Sequence, residues 1–312
     1  MKTKNAKESF QESRLFMDTV VNIKIVTSRA KTEIKQSMAR AFAAFYHVES
    51  VCSRFNSHSE ISRLSTQIGT PVPVSSILFE AVRFAWEVAA FTEGNFDPTM
   101  GNTLELYGFN RDYLTGYQSV SVPTTFNANT PVSYLDIDLN KEQQTILLRR
   151  PLILDLGAIA KGLAVDLAVK ELSHFEGFFI DAGGDIFAGG LNEYEKSWRV
   201  GIRHPSKKEE IISSLKLTNM AVCTSGSYER ISPIRKDAHH LINPHSRIPQ
   251  SDSLSCTVIA PFTMMADAFS TAAFILGAEK GIRQLELVGL DGILITPTLE
   301  MFMTKEMRRY LS

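Results

Sequence analysis

Past a polar stretch that runs through residue 13, the first patterned segment has Val21, Ile23 and Ile25 alternating with Asn22 and Lys24. A period of two predicts a half-buried strand. From Thr32 the period changes, and Ile34, Met38, Phe42, Phe45, Val48 and Cys52 recur every three or four residues, as on one face of a helix. A second helix is expected after Pro73, with Leu78, Val82, Ala85 and Ala89 on one side. Residues 110–130 are rich in Thr, Asn and Ser and read as a surface excursion. Residues 152–154 predict a buried strand that runs into a helix over 157–172. Strands are expected over 178–180, 198–202, 215–217, 257–260 and 293–295, and helices over 264–276 and 279–287.

Strands and helices mix without strict βαβα alternation, so the fold class is α+β rather than a doubly wound sheet. No repeat and no Gly/Ser linker divides the chain. The expected organisation is a polar leader over 1–13 followed by one compact unit over 14–312, built as two lobes.

Composition narrows the function. Lys+Arg 33 against Asp+Glu 34 gives a net charge of -1. A nucleic-acid partner or an anionic membrane surface usually demands a basic excess. A soluble enzyme or a binding protein for a small ligand remains. Cys52, Cys223 and Cys256 match no zinc spacing and read as buried thiols of a reducing compartment. No apolar run suits a signal peptide or a membrane span, so the expected location is the cytoplasm.

Four segments carry candidate chemistry. In Asp155-Leu-Gly-Ala-Ile-Ala-Lys161-Gly162, small residues at a strand-to-helix junction suit either a phosphate at a helix N-terminus or a tightly packed helix capped by Asp155. Asp181-Ala-Gly-Gly-Asp185 offers either a nest of N–H groups flanked by carboxylates for ribose hydroxyls, or a plain β-turn. Asp267, Ser270 and Thr271 share a helix face, and their hard oxygens suit Mg²⁺ if they are not simply back-bonded to the helix. His239 and His240 follow the hydroxyl-rich Thr224-Ser-Gly-Ser-Tyr228, and at most one of the pair can face a site as general base.

In chain order these segments form part of a larger set: Met17-Asp-Thr19, Ser53-Arg-Phe55, Ser59-Glu-Ile-Ser-Arg-Leu64, Phe96-Asp-Pro-Thr99, Tyr107-Gly-Phe109, the 155–162 segment, Gly183-Gly-Asp185, Thr224-Ser-Gly226 with Tyr228, His240-Leu-Ile-Asn-Pro244, and Asp267 with Ser270-Thr271. The set resembles the ApbE-type FAD:protein FMN transferases (flavin transferases) over about residues 16–295. That resemblance implies an ApbE-like, T-fold-related arrangement of two lobes with a flavin cleft between them. It implies Mg²⁺-dependent transfer of FMN from FAD to a Thr or Ser of a target protein carrying an FMN-binding domain, with AMP leaving. Its alternatives are a Mg²⁺-dependent FAD pyrophosphatase and a non-catalytic FAD-binding protein.

By the same resemblance, His240 is the base and Asp267 completes the catalytic pair. Mg²⁺ falls to the Ala158 carbonyl, Asp267 and Thr271, with Ser270 adjacent. FAD falls to Met17, Phe55, Asp97, Pro98, Thr99, Asp155, Lys161, Gly183, Gly184, Asp185 and the backbone near Leu241. Two departures stand out. Asp18 occupies a position where the family usually has Gly, and Asn243-Pro-His-Ser-Arg247 replaces the usual Asp-Pro-Arg-Thr-Gly. Both departures are expected to affect substrate positioning more than fold.

Overall fold

The computed structural model describes residues 7–110 and 131–312, so the polar excursion expected over 110–130 lies almost wholly outside the described residues. The Val21/Ile23/Ile25 alternation becomes part of strand β2 (Thr19–Thr27), in which those three side chains are fully buried. Ahead of it, β1 (Glu8–Phe16) pairs antiparallel with β2, from Glu8 opposite Thr27 to Phe16 opposite Thr19. The stretch expected to be a polar leader is therefore a strand from Glu8 onward. It is an edge strand with most side chains in solvent, which removes the alternation that identifies a strand in sequence.

The remaining elements follow as α1 (Lys31–Cys52), α2 (Glu60–Leu64), β3 (Val72–Pro73), α3 (Ser76–Phe91), α4 (Gly101–Leu106), β4 (Ile137–Asn140), β5 (Thr145–Leu148), α5 (Ala160–Leu172), β6 (Gly177–Ala182), β7 (Asp185–Gly190), β8 (Trp198–Arg203), β9 (Ile211–Leu217), β10 (Met220–Gly226), β11 (Ser255–Ala260), α6 (Thr263–Leu276), α7 (Ala278–Leu287), β12 (Asp291–Ile295) and β13 (Met301–Met303). A 3₁₀ turn, Lys305–Tyr310, ends the chain.

Eight strands form the main sheet in the order β1-β2-β6-β7-β10-β11-β12-β13. Every neighbouring pair in it is antiparallel. One face packs against α1, α3, α5, α6 and α7 in a single apolar core. Phe42 and Phe45 of α1 lie at the bottom of that core, each with its ring about 6 Å from Phe16. Burying a phenylalanine of this kind contributes roughly 2–3 kcal/mol. The other face of the sheet is covered by the β8–β9 hairpin and the last turn, around Trp198, Leu215, Ile259 and Met307. A smaller sheet, β3-β5-β4, adds Ile137, Ile146 and Leu148 to the same core.

Two boundaries differ from expectation. Residues 152–154 are apolar, and Leu152 and Leu154 are fully buried, yet they form no strand. Their main chain instead bonds to the start of α4: Ile153 N donates to Asn102 Oδ1 (2.9 Å), and Gly101 N donates to Ile153 O (3.2 Å). Helix α5 begins at Ala160 rather than 157, after a tight turn in which Ile159 N donates to Leu156 O. Among the described residues, no helix is long and apolar enough to cross a membrane.

Candidate active site

A cleft opens at one end of the main sheet, lined by the β1–β2 turn, the C-terminal end of α1 with residues 53–55, the 155–161 turn and Arg230. Its first wall is a two-residue hairpin turn. Met17 and Asp18 both have positive φ, 52° and 60°, the backbone of the type I′ turn that matches strand twist. Asp18 therefore stands where glycine is at ease and where Asp is among the better-tolerated side chains. Met17 N donates to Glu49 Oε1 (2.8 Å), which fixes the turn to α1. The β6–β7 turn abuts it, since a Cβ on Gly183 would come within 2.3 Å of Thr19 Oγ1. Asp181 Oδ1 accepts the amide of Gly184 (2.9 Å), so its carboxylate is engaged by the turn rather than presented to a ribose.

The floor is ionic. Lys161, in the first turn of α5, bonds to Asp185 at the head of β7 and lies 3.7 Å from Asp267 Oδ2 on α6. Both carboxylates are almost completely buried. Burial and the charge of Asp185 push the Asp267 carboxyl well up, against the opposing pull of Lys161 and the Gly162 amide. Burial pulls the Lys161 ammonium down, but the two aspartates outweigh it and hold it above the ordinary lysine range. Asp267 Oδ2 is buried with no hydrogen-bond partner.

α5 and α6 meet here through two residues on one face. A Cβ on Gly162 would lie 2.5 Å from Met264 Cα, so only glycine allows the approach. Four residues on, Asp166 accepts from Thr263 N (2.7 Å) and Met264 N (2.9 Å) and caps α6. The Gly162–Asp166 spacing was the sequence signal for this clamp, and it went unread. The Ile159 and Leu156 carbonyls take the amides of Leu163 and Ala160. Among the described residues, no main-chain amide bonds to the Ala158 carbonyl between them.

Ser270 Oγ donates to Asp267 O (2.9 Å) and meets Ser225 Oγ (2.8 Å), which also reaches Thr271 Oγ1 (2.9 Å). The three-residue spacing thus serves partly to back-bond the helix, and Ser225 joins the hydroxyl cluster from β10. Among the described residues, no three His, Cys, Asp or Glu side chains group as metal ligands. The donor set expected for Mg²⁺ contains one carboxylate, and it fits in one respect: Asp267 Oδ2 is buried without a hydrogen-bond partner, on the same helix as the Ser270 and Thr271 hydroxyls.

The second wall centres on Arg54, which sequence reasoning did not single out. Its Nε donates to Asp155 Oδ2 (2.5 Å), its Nη2 donates to Phe109 O (2.6 Å), and its guanidinium stacks on the Phe55 ring at 4.2 Å. Burial alone would raise the Asp155 pKa, but Arg54, the Gly157 amide and Arg230 hold it below the usual carboxylate range. Asp97 accepts from Thr99 N, Thr99 Oγ1 and Tyr134 N. Pro98 O accepts from Asp155 N (2.8 Å). Thr99 and Pro98 are buried, so this turn braces the Asp155 segment from behind.

The loop between β10 and β11 carries the histidines. His239 is consumed inside it: Nε2 meets Gln250 O (2.9 Å) and Nδ1 accepts from Leu241 N (3.2 Å). The Leu241 carbonyl accepts from Gln250 N, so both main-chain groups of Leu241 already have partners. His240 is the one that remains. Its N donates to Arg230 O (3.2 Å) and its Nδ1 lies 3.4 Å from the same oxygen. A carbonyl only accepts, so Nδ1 carries the proton and Nε2 is left as the acceptor. Burial, then the charges of Arg230 and His239, push the His240 pKa down to about 3, so the ring is neutral near pH 7.

The Asn243–Arg247 departure has a physical basis. Asn243 Oδ1 still caps the turn, accepting from His245 N (2.9 Å) and Ser246 N (3.1 Å). Arg247 stands at φ 59°, a left-handed position natural to glycine. Its side chain anchors the loop by donating to Thr103 Oγ1 (2.8 Å) and Val132 O (2.9 Å).

Solved flavin-transferase-type structures share this fold. The ApbE protein of Thermotoga maritima superposes with a TM-score of 0.87 at 23% identity, covering 98% of this chain and 100% of that one. The flavin transferase ApbE from Vibrio cholerae gives a TM-score of 0.84 at 25% identity, with 98% and 100% covered. Among curated relatives, a FAD:protein FMN transferase of Haemophilus influenzae is 29% identical over 93% of this chain and 87% of its own. One of Chlamydia trachomatis is 32% identical over 76% and 75%. The sequence model of the ApbE family matches residues 17–294, and the chain belongs to that family.

Proposed function

We propose that the chain is an FAD:protein FMN transferase, which takes FMN from FAD and joins it to a Thr or Ser hydroxyl of a target protein. The observation that carries the reading is His240, held neutral with Nε2 unprotonated and fastened to a residue of the cleft wall. In the proposed reaction the acceptor oxygen attacks the phosphorus of the FMN half. The bond from that phosphorus to the bridging oxygen breaks, AMP leaves with the bridging oxygen, and the acceptor's proton passes to His240 Nε2.

Met17, Phe55, Asp155 and Lys161 line the cleft that FAD would enter, and the Phe55 ring, backed by Arg54, offers a flat face for a flavin or adenine ring. Asp185, Gly183-Gly184 and the Asp97–Thr99 turn support that cleft from its floor and walls. The Ala158 carbonyl, Asp267 and Thr271, with Ser270 adjacent, would hold Mg²⁺, whose chemistry is to neutralise charge on phosphate oxygens. Three free, buried cysteines suit a reducing compartment, and the cytoplasm is the proposed setting.

The test is incubation with FAD, Mg²⁺ and an FMN-binding domain that carries an acceptor Thr. The expected result is in-gel flavin fluorescence on the domain, a mass gain of one FMN, and stoichiometric AMP. AMP without a labelled acceptor would make the protein a hydrolase. A bound yellow chromophore with neither product would make it a flavin carrier.

A further inference from the structure

FAD carries a diphosphate, and a dianion in a cleft needs a cation that is not already engaged. Three cations line the cleft: Arg54, Lys161 and Arg230. Lys161 is committed to Asp185 and Asp267. Arg54 is committed to Asp155, Phe109 O and the Phe55 ring.

Arg230 differs. Its side chain is exposed to the cleft, and among the described residues its guanidinium makes no hydrogen bond or ion pair. Its acidic neighbour Glu229 is drawn off by Arg203, which also lies 4.9 Å over the Tyr228 ring. The Arg230 charge reaches both sides of the site, depressing the Asp155 and His240 pKa values. The Arg230 carbonyl also holds His240 through the His240 amide and Nδ1. Whatever the guanidinium binds is therefore kept in register with the imidazole.

We infer that Arg230 binds the diphosphate of the incoming flavin dinucleotide through its guanidinium and sets it beside His240, an inference that rests on FAD being the substrate. A guanidinium suits this task because its planar fork can give two parallel N–H bonds to phosphate oxygens. Arg230 lies immediately beyond the Thr224-to-Tyr228 stretch and was not among the residues expected to bind FAD.

The experiment compares wild type with Arg230→Gln and Arg230→Lys by flavin-fluorescence titration in Mg²⁺. The ligands are FAD and riboflavin, which has the ring but no phosphate, and inorganic pyrophosphate serves as competitor. Arg230→Gln should weaken FAD about thirtyfold, as loss of a charge-assisted bond predicts. It should leave riboflavin affinity and melting temperature unchanged, and pyrophosphate should no longer compete. Arg230→Lys should recover part of the loss. FAD affinity unchanged in Arg230→Gln, or FAD and riboflavin weakened equally, would overturn the inference. A wild-type protein that binds no FAD overturns the substrate reading instead. Direct pyrophosphate calorimetry then decides Arg230 alone: binding lost in Arg230→Gln upholds it, and binding unchanged removes it.

Discussion

The floor of the cleft and the loop beside it hold their chemical groups in opposite ways. On the floor, Lys161, Asp185 and Asp267 come from α5, β7 and α6, are largely shut away from water, and balance one another's charge. In the loop, His240 is placed by main-chain bonds to Arg230, while Asn243 and Arg247 shape the turn that follows. The floor depends on charge balance and the loop on position. Substitutions on the floor should therefore disturb binding, turnover and stability together, whereas those in the loop should separate one from another.

The largest effect is expected at Asp267. Asp267→Ala removes the orphaned oxygen and one of the two carboxylates facing Lys161, and metal-dependent transfer should fall about a thousandfold or more. AMP release with and without Mg²⁺ measures it, and activity close to wild type would remove the metal assignment.

Next comes His240→Ala, which should lower kcat about a hundredfold and leave FAD affinity within about twofold. Loss of FAD binding at the same time would show that the loop behaves like the floor. A pH series sharpens this case. With its folded pKa pushed down to about 3 from 6.5, His240 stays neutral and gives no inflection in kcat/KM near neutrality. The unfolded chain takes up that proton first. The stability gained from a neutral His240 is thus present above 6.5 and is lost as pH falls toward about 3, at no more than about 1.4 kcal/mol per pH unit for one proton. Urea midpoints over that window should flatten in His240→Gln.

A smaller effect is expected for Arg247→Gly. It relieves the left-handed backbone, worth roughly 1 kcal/mol, but loses two hydrogen bonds of about 1 kcal/mol each, for a net destabilisation near 1 kcal/mol by thermal melt. A gain in stability would mean the anchor to Thr103 and Val132 contributes nothing. The smallest change belongs to Asp18→Gly, which relaxes φ and removes a carboxylate from the cleft. Stability should move by less than about 1 kcal/mol and FAD affinity should rise about threefold. A loss of affinity would show that Asp18 assists the ligand.

Much of the scaffold was legible because burial leaves a periodic trace. The stripe from Ile34 to Cys52 became α1, and Val21, Ile23 and Ile25 lie in β2 as the alternation required. β1 left no trace because most of its side chains face water, and residues 152–154 misled because an apolar run reports burial and not a hydrogen-bonded ladder. At the site, Lys161, Asp185 and Asp267 stood out in motifs and do converge. Arg54 and Arg230 did not stand out, since an arginine's meaning lies in its partners. Those of Arg54 are 55 and 101 residues away in sequence. The two glycine positions taken by Asp18 and Arg247 looked like losses in sequence, yet both backbones hold the left-handed conformation that glycine favours.

The clamp between Asp166 and the first amides of α6 spans 97 and 98 residues of chain. During synthesis from the N-terminus, α5 emerges long before its partner, and Lys161 and Asp185 wait without the third member of their charge set. Closure of so long a loop is a late and slow step. A nascent or truncated chain that stops short of α6 should therefore be a target for chaperones and proteases, and flavin chemistry begins only once α6 has been made.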